Sequence, residues 1–371
     1  MSNIKSPYRY DHVGSFLRPE ELKQARKDFK AGKVSREELT AIEDKAITAL
    51  VEKQKKAGFH IITDGEYRRE FWHLDFMWGF EGVAHENTGS GVQFSGELAA
   101  LDDTYLVGKI KAAPHPFVEY FKFLKQFEDE QTVAKYTIPA PAQTFQQMIV
   151  PQNIEQTRKF YSTNEELIQD IGAAYQAVIK QFYEAGCRDL QFDDCTWGAV
   201  VGDAAKQRYE SLGIDIEDVK KQLLEVNNLA LANKPADMVI TSHICRGNYH
   251  STYFTSGSYD SVADYVFAHE NVDALLLEYD DERSGGFEPL AKVSPDKKVV
   301  LGLITSKTPE LEDKQAVIAR IHEAAKFIPL ERLCLSPQCG FASCEIGNKL
   351  TEQEQWAKLA LVKEIAEEVW G

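Results

Sequence analysis

Along this chain, apolar runs that end in polar residues alternate with longer amphipathic stretches. Eight short segments combine aliphatic or aromatic residues with polar groups gathered at their C-terminal ends, as buried strands do. They are Tyr10 to Phe16, His60 to Glu66, Lys135 to Ala140, Asp189 to Asp194, Met238 to Cys245, Ala274 to Tyr279, Val299 to Ser306 and Leu333 to Cys339. Between them apolar residues recur at helical spacing. Two helices are expected between Pro19 and Ala57, closed by Gly58 as C-cap, and others over Asn164 to Ala185, Ile216 to Asn233, Tyr259 to Asn271 and Thr351 to Val369. Thr308 as N-cap and Pro309 at the first helical position predict one more helix, running toward Phe327.

Strands alternating with helices imply parallel pairing through right-handed crossovers. Eight of them predict the α/β class and a closed (β/α)8 TIM barrel. A doubly wound open sheet is the competing arrangement, but no GxGxxG fingerprint follows the first strand. From Phe71 to about Gln131 the rhythm breaks into an aromatic-rich stretch with a Gly89-Ser90-Gly91 turn. Residues 71–131 are therefore expected to be an insertion after the second strand, built of short strands or hairpins over the barrel mouth. The whole of 1–371 otherwise reads as a single catalytic domain.

Composition narrows the partners. The 371 residues are 43% hydrophobic, enough for a large core, and no run approaches the roughly 18 apolar residues of a membrane span. The stretch from Met1 to Pro7 has no apolar signal segment behind it, so a cytoplasmic location is expected. A formal charge of −16 disfavours a nucleic-acid partner. The six cysteines are sparse and confined to the second half, which fits free or metal-bound thiols better than disulfides.

The chemistry lies at the strand ends, where a barrel builds its active site. Those ends carry Gly14-Ser15, Asp64-Gly65-Glu66, Asp193-Asp194, His243-x-Cys245, Glu278, Thr305-Ser306-Lys307 and Cys339. In an extended strand residues i and i+2 face the same side, so His243 and Cys245 can address one ion. Nitrogen and sulfur suit zinc. Glu278, ending a Leu-rich strand where an unpaired carboxylate would be costly, and Cys339, followed by a glycine, complete a set of four ligands. Cys334 reads as a small hydrophobe within its strand, and Cys344 as a residue of a loop or early helix. Glu66 and Asp193 fit either a general acid–base pair, as in glycoside hydrolysis, or a grip on the ammonium of an amino-acid substrate. The neighbouring thiol–metal set favours the ammonium. Ser15 and the amides around Gly14 could take an α-carboxylate. The plainer alternatives are a turn for Ser15 and a surface cap for Asp194.

These motifs carry a resemblance. His12-Val13-Gly14-Ser15-Phe16, Thr63-Asp64-Gly65-Glu66, Leu190-Gln191-Phe192-Asp193-Asp194, the His243/Cys245 pair, Leu277-Glu278 and Ser336-Pro337-Gln338-Cys339-Gly340 are similar to those of the cobalamin-independent methionine synthase family. The likeness is to its catalytic C-terminal barrel, and more to its short bacterial relatives, over nearly the whole chain. It implies zinc held by His243, Cys245, Glu278 and Cys339, and homocysteine held by Val13 (through its backbone), Ser15, Glu66 and Asp193. Thr137 to Phe145 resembles the folate side of that pocket. The implied reaction is methyl transfer from 5-methyltetrahydrofolate, with or without a polyglutamate tail, to a zinc-activated homocysteine thiolate, giving methionine.

Three departures bear on that reading. The N-terminal barrel of the full synthase is absent, and Asp193-Asp194-Cys195 stands where the full enzyme has Asp-Glu-Pro. The family's proton-shuttle histidine near the end of the seventh strand is replaced by Thr305-Ser306-Lys307, leaving Ser306 and Lys307 as candidates there. Another methyl donor such as a corrinoid, another small thiol acceptor, or a non-catalytic thiol or metal sensor are the alternatives. A uroporphyrinogen-decarboxylase-like enzyme would give no reason for the zinc ligands.

Overall fold

Neighbouring strands lie parallel and in register across one large sheet of the computed structural model, which describes residues 5–87, 91–94, 98–100 and 102–371. In chain order the strands are β1 (Ile61–Ile62), β2 (Glu81–Glu86), β3 (Gly91–Gln93), β4 (Leu98–Ala100), β5 (Asp103–Lys111), β6 (Val133–Pro139), β7 (Asp189–Asp194), β8 (Val239–Ile244), β9 (Ala274–Glu278), β10 (Lys298–Ile304) and β11 (Leu333–Pro337). The parallel order is β1-β6-β7-β8-β9-β10-β11. Every residue of β6, β7, β9 and β11 is buried, as expected for strands covered on both faces.

The eighth position, between β11 and β1, is filled by the segment around Tyr10. Tyr10 makes a parallel bridge to Leu335, Asp11 N donates to Leu335 O at 3.0 Å, and Leu335 N donates to Arg9 O at 2.9 Å. On the other side Thr63 Oγ1 donates to Gly14 O at 2.8 Å, and His12 Nε2 lies 3.0 Å from Ile61 O. The ring of eight positions that defines a TIM-type barrel is thus present.

The expected strand from Tyr10 to Phe16 shrinks to that one bridge because Asp11 competes for the backbone. Its Oδ1 accepts from His12 N (2.7 Å) and Val13 N (2.8 Å), and Val13 turns to φ +69°. The second strand is likewise shorter than His60 to Glu66. The Gln54 side chain takes both backbone groups of Thr63, and Gly65 and Glu66 adopt positive φ.

The helices cover the outside. Arg36–Lys56 and Glu352–Trp370 open with capping boxes, from Ser35/Glu38 and Thr351/Glu354. Asn164–Glu184 buries Leu167, Ile168, Ile171, Tyr175, Val178, Ile179 and Phe182, which recur with the helical period on one face. Two expectations fail. The helix predicted from Thr308 and Pro309 is Lys314–Ala324, capped by Asp313. Glu312 holds the preceding loop, accepting from Thr305 N at 2.8 Å and from Lys358 Nζ at 3.1 Å. The single helix expected over Tyr259 to Asn271 is two short pieces, Asp260–Ala263 and Val266–His269.

Between β1 and β6 the insertion forms two antiparallel pairs, β2 with β5 and β3 with β4, but residues 71–131 are not strands and hairpins alone: Pro116–Lys125 is a helix that buries Phe117, Val118, Phe121 and Leu124 in the main core. Gly89 and Ser90 of the expected turn lie outside the described residues. Among the described residues no helix is long and apolar enough to cross a membrane.

Candidate active site

The strand ends converge as the period-2 pattern requires. His243 is the penultimate residue of β8, and Cys245 follows that strand directly. Glu278 is the last residue of β9, and Cys339 lies two residues beyond β11. All four are buried, and one potential ligand atom from each lies within 4.8 Å of every other. The two Sγ atoms are 3.8 Å apart, the separation of about 3.8 Å expected for two thiolates 2.3 Å from a tetrahedral zinc. Neither ring nitrogen of His243 has a hydrogen bond of sound geometry. A buried imidazole with two orphaned nitrogens is costly unless something else occupies one of them. Glu278 is held at both oxygens: Oε1 accepts from Arg246 N and Oε2 from an Arg283 nitrogen, each at 2.8 Å. Burial opposes its ionisation, yet Lys307, Arg283 and His243 nearby hold its pKa below the usual carboxylate value. This donor set fits a zinc ion.

Val13, Gly14, Ser15, Glu66, Asp193, His243, Cys245 and Cys339 line one cavity of ≈ 1040 Å³. That reaches the upper end of small-molecule pockets, about 1,000 Å³. Gln143, Ile149, Leu212 and Ile214 also line it, as do Val92 and Phe94 of the insertion. Phe94 stands against the rings of Tyr249 and Phe254 in the loop after Cys245, at 5.4 and 5.8 Å.

The backbone that presents the polar wall is strained. Four non-glycine residues among those described have positive φ, and Val13 (+69°) and Glu66 (+62°) are two of them. For a β-branched valine this is a real cost, the kind that collects at functional sites. Asp11, itself 2.6 Å from Lys135 Nζ, fixes the first turn, while Asp64 Oδ1 accepts Glu66 N at 2.9 Å in the second. Gly340 has to be glycine, since a Cβ there would overlap Ser15 Oγ. Glu66 Oε1 accepts from Thr137 Oγ1 at 2.9 Å, and Oε2 has no partner. Burial pushes the Glu66 carboxyl up to about 7 and Asp193 up to about 6, each against the pull of Arg69.

Other expectations are placed differently. Asp194 is no surface cap: it is fully buried and accepts from Thr196 N (2.8 Å), the Thr196 hydroxyl and Asn227 Nδ2 (2.9 Å). Cys334 does pack in a small apolar cluster with Val13, Leu276 and Val300. Cys344 is in a loop and lines the cavity. Neither Ser306 nor Lys307 is among the cavity-lining residues. Ser306 Oγ donates to Gly340 O and accepts from Gln338 Nε2, while Lys307 Nζ lies 3.3 Å from Asn248 Oδ1. Arg69 was not singled out from the sequence. It is fully buried 3.5 Å from Glu66 and stacked over Phe117 and Tyr136. The available signal was its place three residues after Glu66.

The strand ends of a TIM-type barrel thus bring an N/S2/O donor set to one cavity. The comparisons give the family. Residues 11–368 match the model of the cobalamin-independent synthase catalytic domain, and the chain belongs to that family. It is 45% identical over 367 residues to the uncharacterized protein YxjH of Bacillus subtilis (strain 168), covering 99% of this chain and 96% of that protein. It is 25% identical to a methionine synthase of Saccharolobus solfataricus, covering 96% and 94%. Among solved structures it resembles a Listeria monocytogenes protein proposed as a vitamin-B12-independent methionine synthase, with TM-score 0.79, 38% identity and full coverage of both chains. A B12-independent methionine synthase from Shewanella sp. W3-18-1, solved with selenomethionine, shares the fold at TM-score 0.71 and 20% identity, covering 97% of each chain.

Proposed function

We propose that this protein is a zinc-dependent S-methyltransferase that makes methionine from homocysteine, with 5-methyltetrahydrofolate as donor. One observation carries the reading: the four-donor cluster and the Glu66/Asp193 pair open on a single cavity. His243, Cys245, Glu278 and Cys339 would hold the zinc. Bound there, the ion lowers the pKa of a coordinated thiol from about 8.5 while leaving its sulfur nucleophilic.

The chain's own residues do the rest. Glu66 and Asp193 bind the substrate ammonium, and Arg69 holds Glu66 in place. The Ser15 hydroxyl and the Val13 backbone take the carboxylate, fixing the sulfur toward Cys245 and Cys339. In the transfer an S–CH3 bond forms, an N–CH3 bond breaks, and the thiol proton has to reach the folate nitrogen. On this reading residues 1–371 act as one catalytic unit, with 71–131 covering the mouth. The selenomethionine complex of the Shewanella protein is in keeping with a methionine-like product.

A second reading keeps the metal and thiol but changes the donor to one that needs no protonation, such as a methylated corrinoid. Its support is that Thr305, Ser306 and Lys307, not a histidine, follow β10, and that Ser306 and Lys307 are already hydrogen-bonded to Gly340 and Asn248. Metal analysis of reducer-protected protein, followed by homocysteine with each donor and mass detection of methionine, tests both. Zinc at background level rejects both, and turnover with one donor alone chooses between them.

A further inference from the structure

Arg18 is a buried cation that the proposed reaction leaves without a role. It lies two residues before the helix Glu20–Lys30 and is 3% exposed. Its guanidinium reaches three of the loops that build the polar wall of the cavity. Nη1 donates to Ala342 O, in the loop after β11, and at 3.4 Å to Phe16 O, in the loop after the Tyr10 segment. Nη2 donates to Glu66 O at 2.8 Å and to Arg69 O at 3.4 Å, in the turn after β1. All four acceptors are backbone carbonyls. A buried charge is costly unless its donors are used. The planar fork of arginine can reach several carbonyls at set angles, which the compact ammonium of lysine cannot.

Each loop it holds carries part of the substrate grip. Phe16 follows Ser15, whose backbone oxygen accepts from Phe341 N at 2.9 Å. The Ser15 hydroxyl oxygen accepts from Ala342 N at 3.2 Å, which leaves the hydroxyl hydrogen for a ligand. Glu66 stands at a φ of +62°, a conformation that persists only when its surroundings impose it. Arg69 N donates to Glu66 O at 3.0 Å, and the Arg69 side chain lies 3.5 Å from the Glu66 carboxylate. Arg18 thus holds the carbonyls at both ends of the turn that presents Glu66.

We propose that Arg18 is a positioning residue for the amino-acid end of the substrate, tying the three loops together so that the Ser15 hydroxyl and the Glu66 carboxylate face one ligand. This rests on the reading that Ser15 and Glu66 bind the carboxylate and ammonium of homocysteine. His243, Cys245, Glu278 and Cys339 are not among the groups Arg18 bonds.

The test compares Arg18→Lys and Arg18→Met with wild type in the full, zinc-loaded chain. Calorimetry gives the affinities for homocysteine and for propanethiol, which keeps the sulfur and lacks the amino-acid end. Metal analysis and thermal unfolding are the controls for zinc and for folding. Arg18→Lys, which keeps the charge but not the fork, is expected to weaken homocysteine roughly tenfold to a hundredfold, the size of one charged hydrogen bond to a substrate. Propanethiol affinity and zinc content are expected to hold. Arg18→Met is expected to lose at least as much homocysteine affinity; if it alone fails to fold, Arg18→Lys decides. Unchanged homocysteine affinity in Arg18→Lys overturns the proposal. An equal loss for both thiols, a loss of zinc or failure of Arg18→Lys to fold also overturns it, since each marks a role in the fold at large. Wild-type protein with no preference for homocysteine over propanethiol fails at the earlier reading of Ser15 and Glu66, whereas a preference indifferent to Arg18 defeats this proposal alone.

Discussion

Two buried polar groups inside the barrel are built on opposite terms. Around Lys135 the partners match: Nζ meets Asp11 Oδ1 at 2.6 Å and Gln191 Oε1 at 3.0 Å, and Asp11 also takes two backbone amides. At the mouth they do not. Neither His243 ring nitrogen has a hydrogen bond of sound geometry, and one Glu66 oxygen has no partner. Gln191 joins the two regions, since its Nε2 donates to Asp193 Oδ1 at 2.7 Å. Buried polar groups with partners hold a fold together, and unpartnered ones that line a cavity are candidates for completion by a ligand.

The largest expected effect is at the incomplete end. Cys339→Ala should bring zinc content and methionine formation to background, measured by metal analysis and product assay, while the metal-free fold persists. Lys135→Met should do the reverse. Breaking a buried ion pair from one side costs about 3–5 kcal/mol, so urea unfolding should show a large loss while folded protein still binds zinc. If Lys135→Met abolishes metal binding in folded protein, the division fails.

A smaller effect is expected from Glu66→Gln. Losing a charged hydrogen bond to the substrate costs about 1.5–3 kcal/mol, so the homocysteine KM should rise roughly tenfold to a hundredfold. Stability should hold or increase, because an under-partnered buried carboxylate is removed.

The smallest effect is one of pH. Burial raises the Glu66 carboxyl from its ordinary 4.5 to about 7 in the folded protein. Below 4.5 it is protonated folded or unfolded and contributes no difference. Between 4.5 and 7 only the unfolded chain has released the proton, so this group's contribution to stability falls as pH rises and levels off above 7. Ammonium binding needs the carboxylate, so homocysteine affinity should weaken as pH drops through 7 toward 6. Calorimetric titration should show that slope in wild type and a flatter one in Glu66→Gln.

Much of this was legible in the sequence for physical reasons. Buried parallel strands announce themselves as apolar runs, and the period of two placed His243 and Cys245 on one side. Glu278 was visible because a carboxylate closing Leu275-Leu276-Leu277 needs a reason. What escaped depends on side-chain competition for the backbone. Asp11 dissolves a strand, Glu312 and Asp313 delay a helix, and Asp194 turns inward to cap Thr196. Arg69 escaped because a charged pair after a turn reads as solvent-facing until aromatic rings are found around it.

The Tyr10 seam also governs the order of events during folding. Arg9 donates to Glu331 O and Leu333 O, Leu17 N donates to Gln355 Oε1, and Phe16 packs against Trp356. These partners lie 322 to 340 positions apart along the chain, so the ring cannot shut until almost all of it has been synthesised. Contacts of such long range slow folding and leave strand edges open meanwhile. Until then the Tyr10 segment lacks its β11 partner.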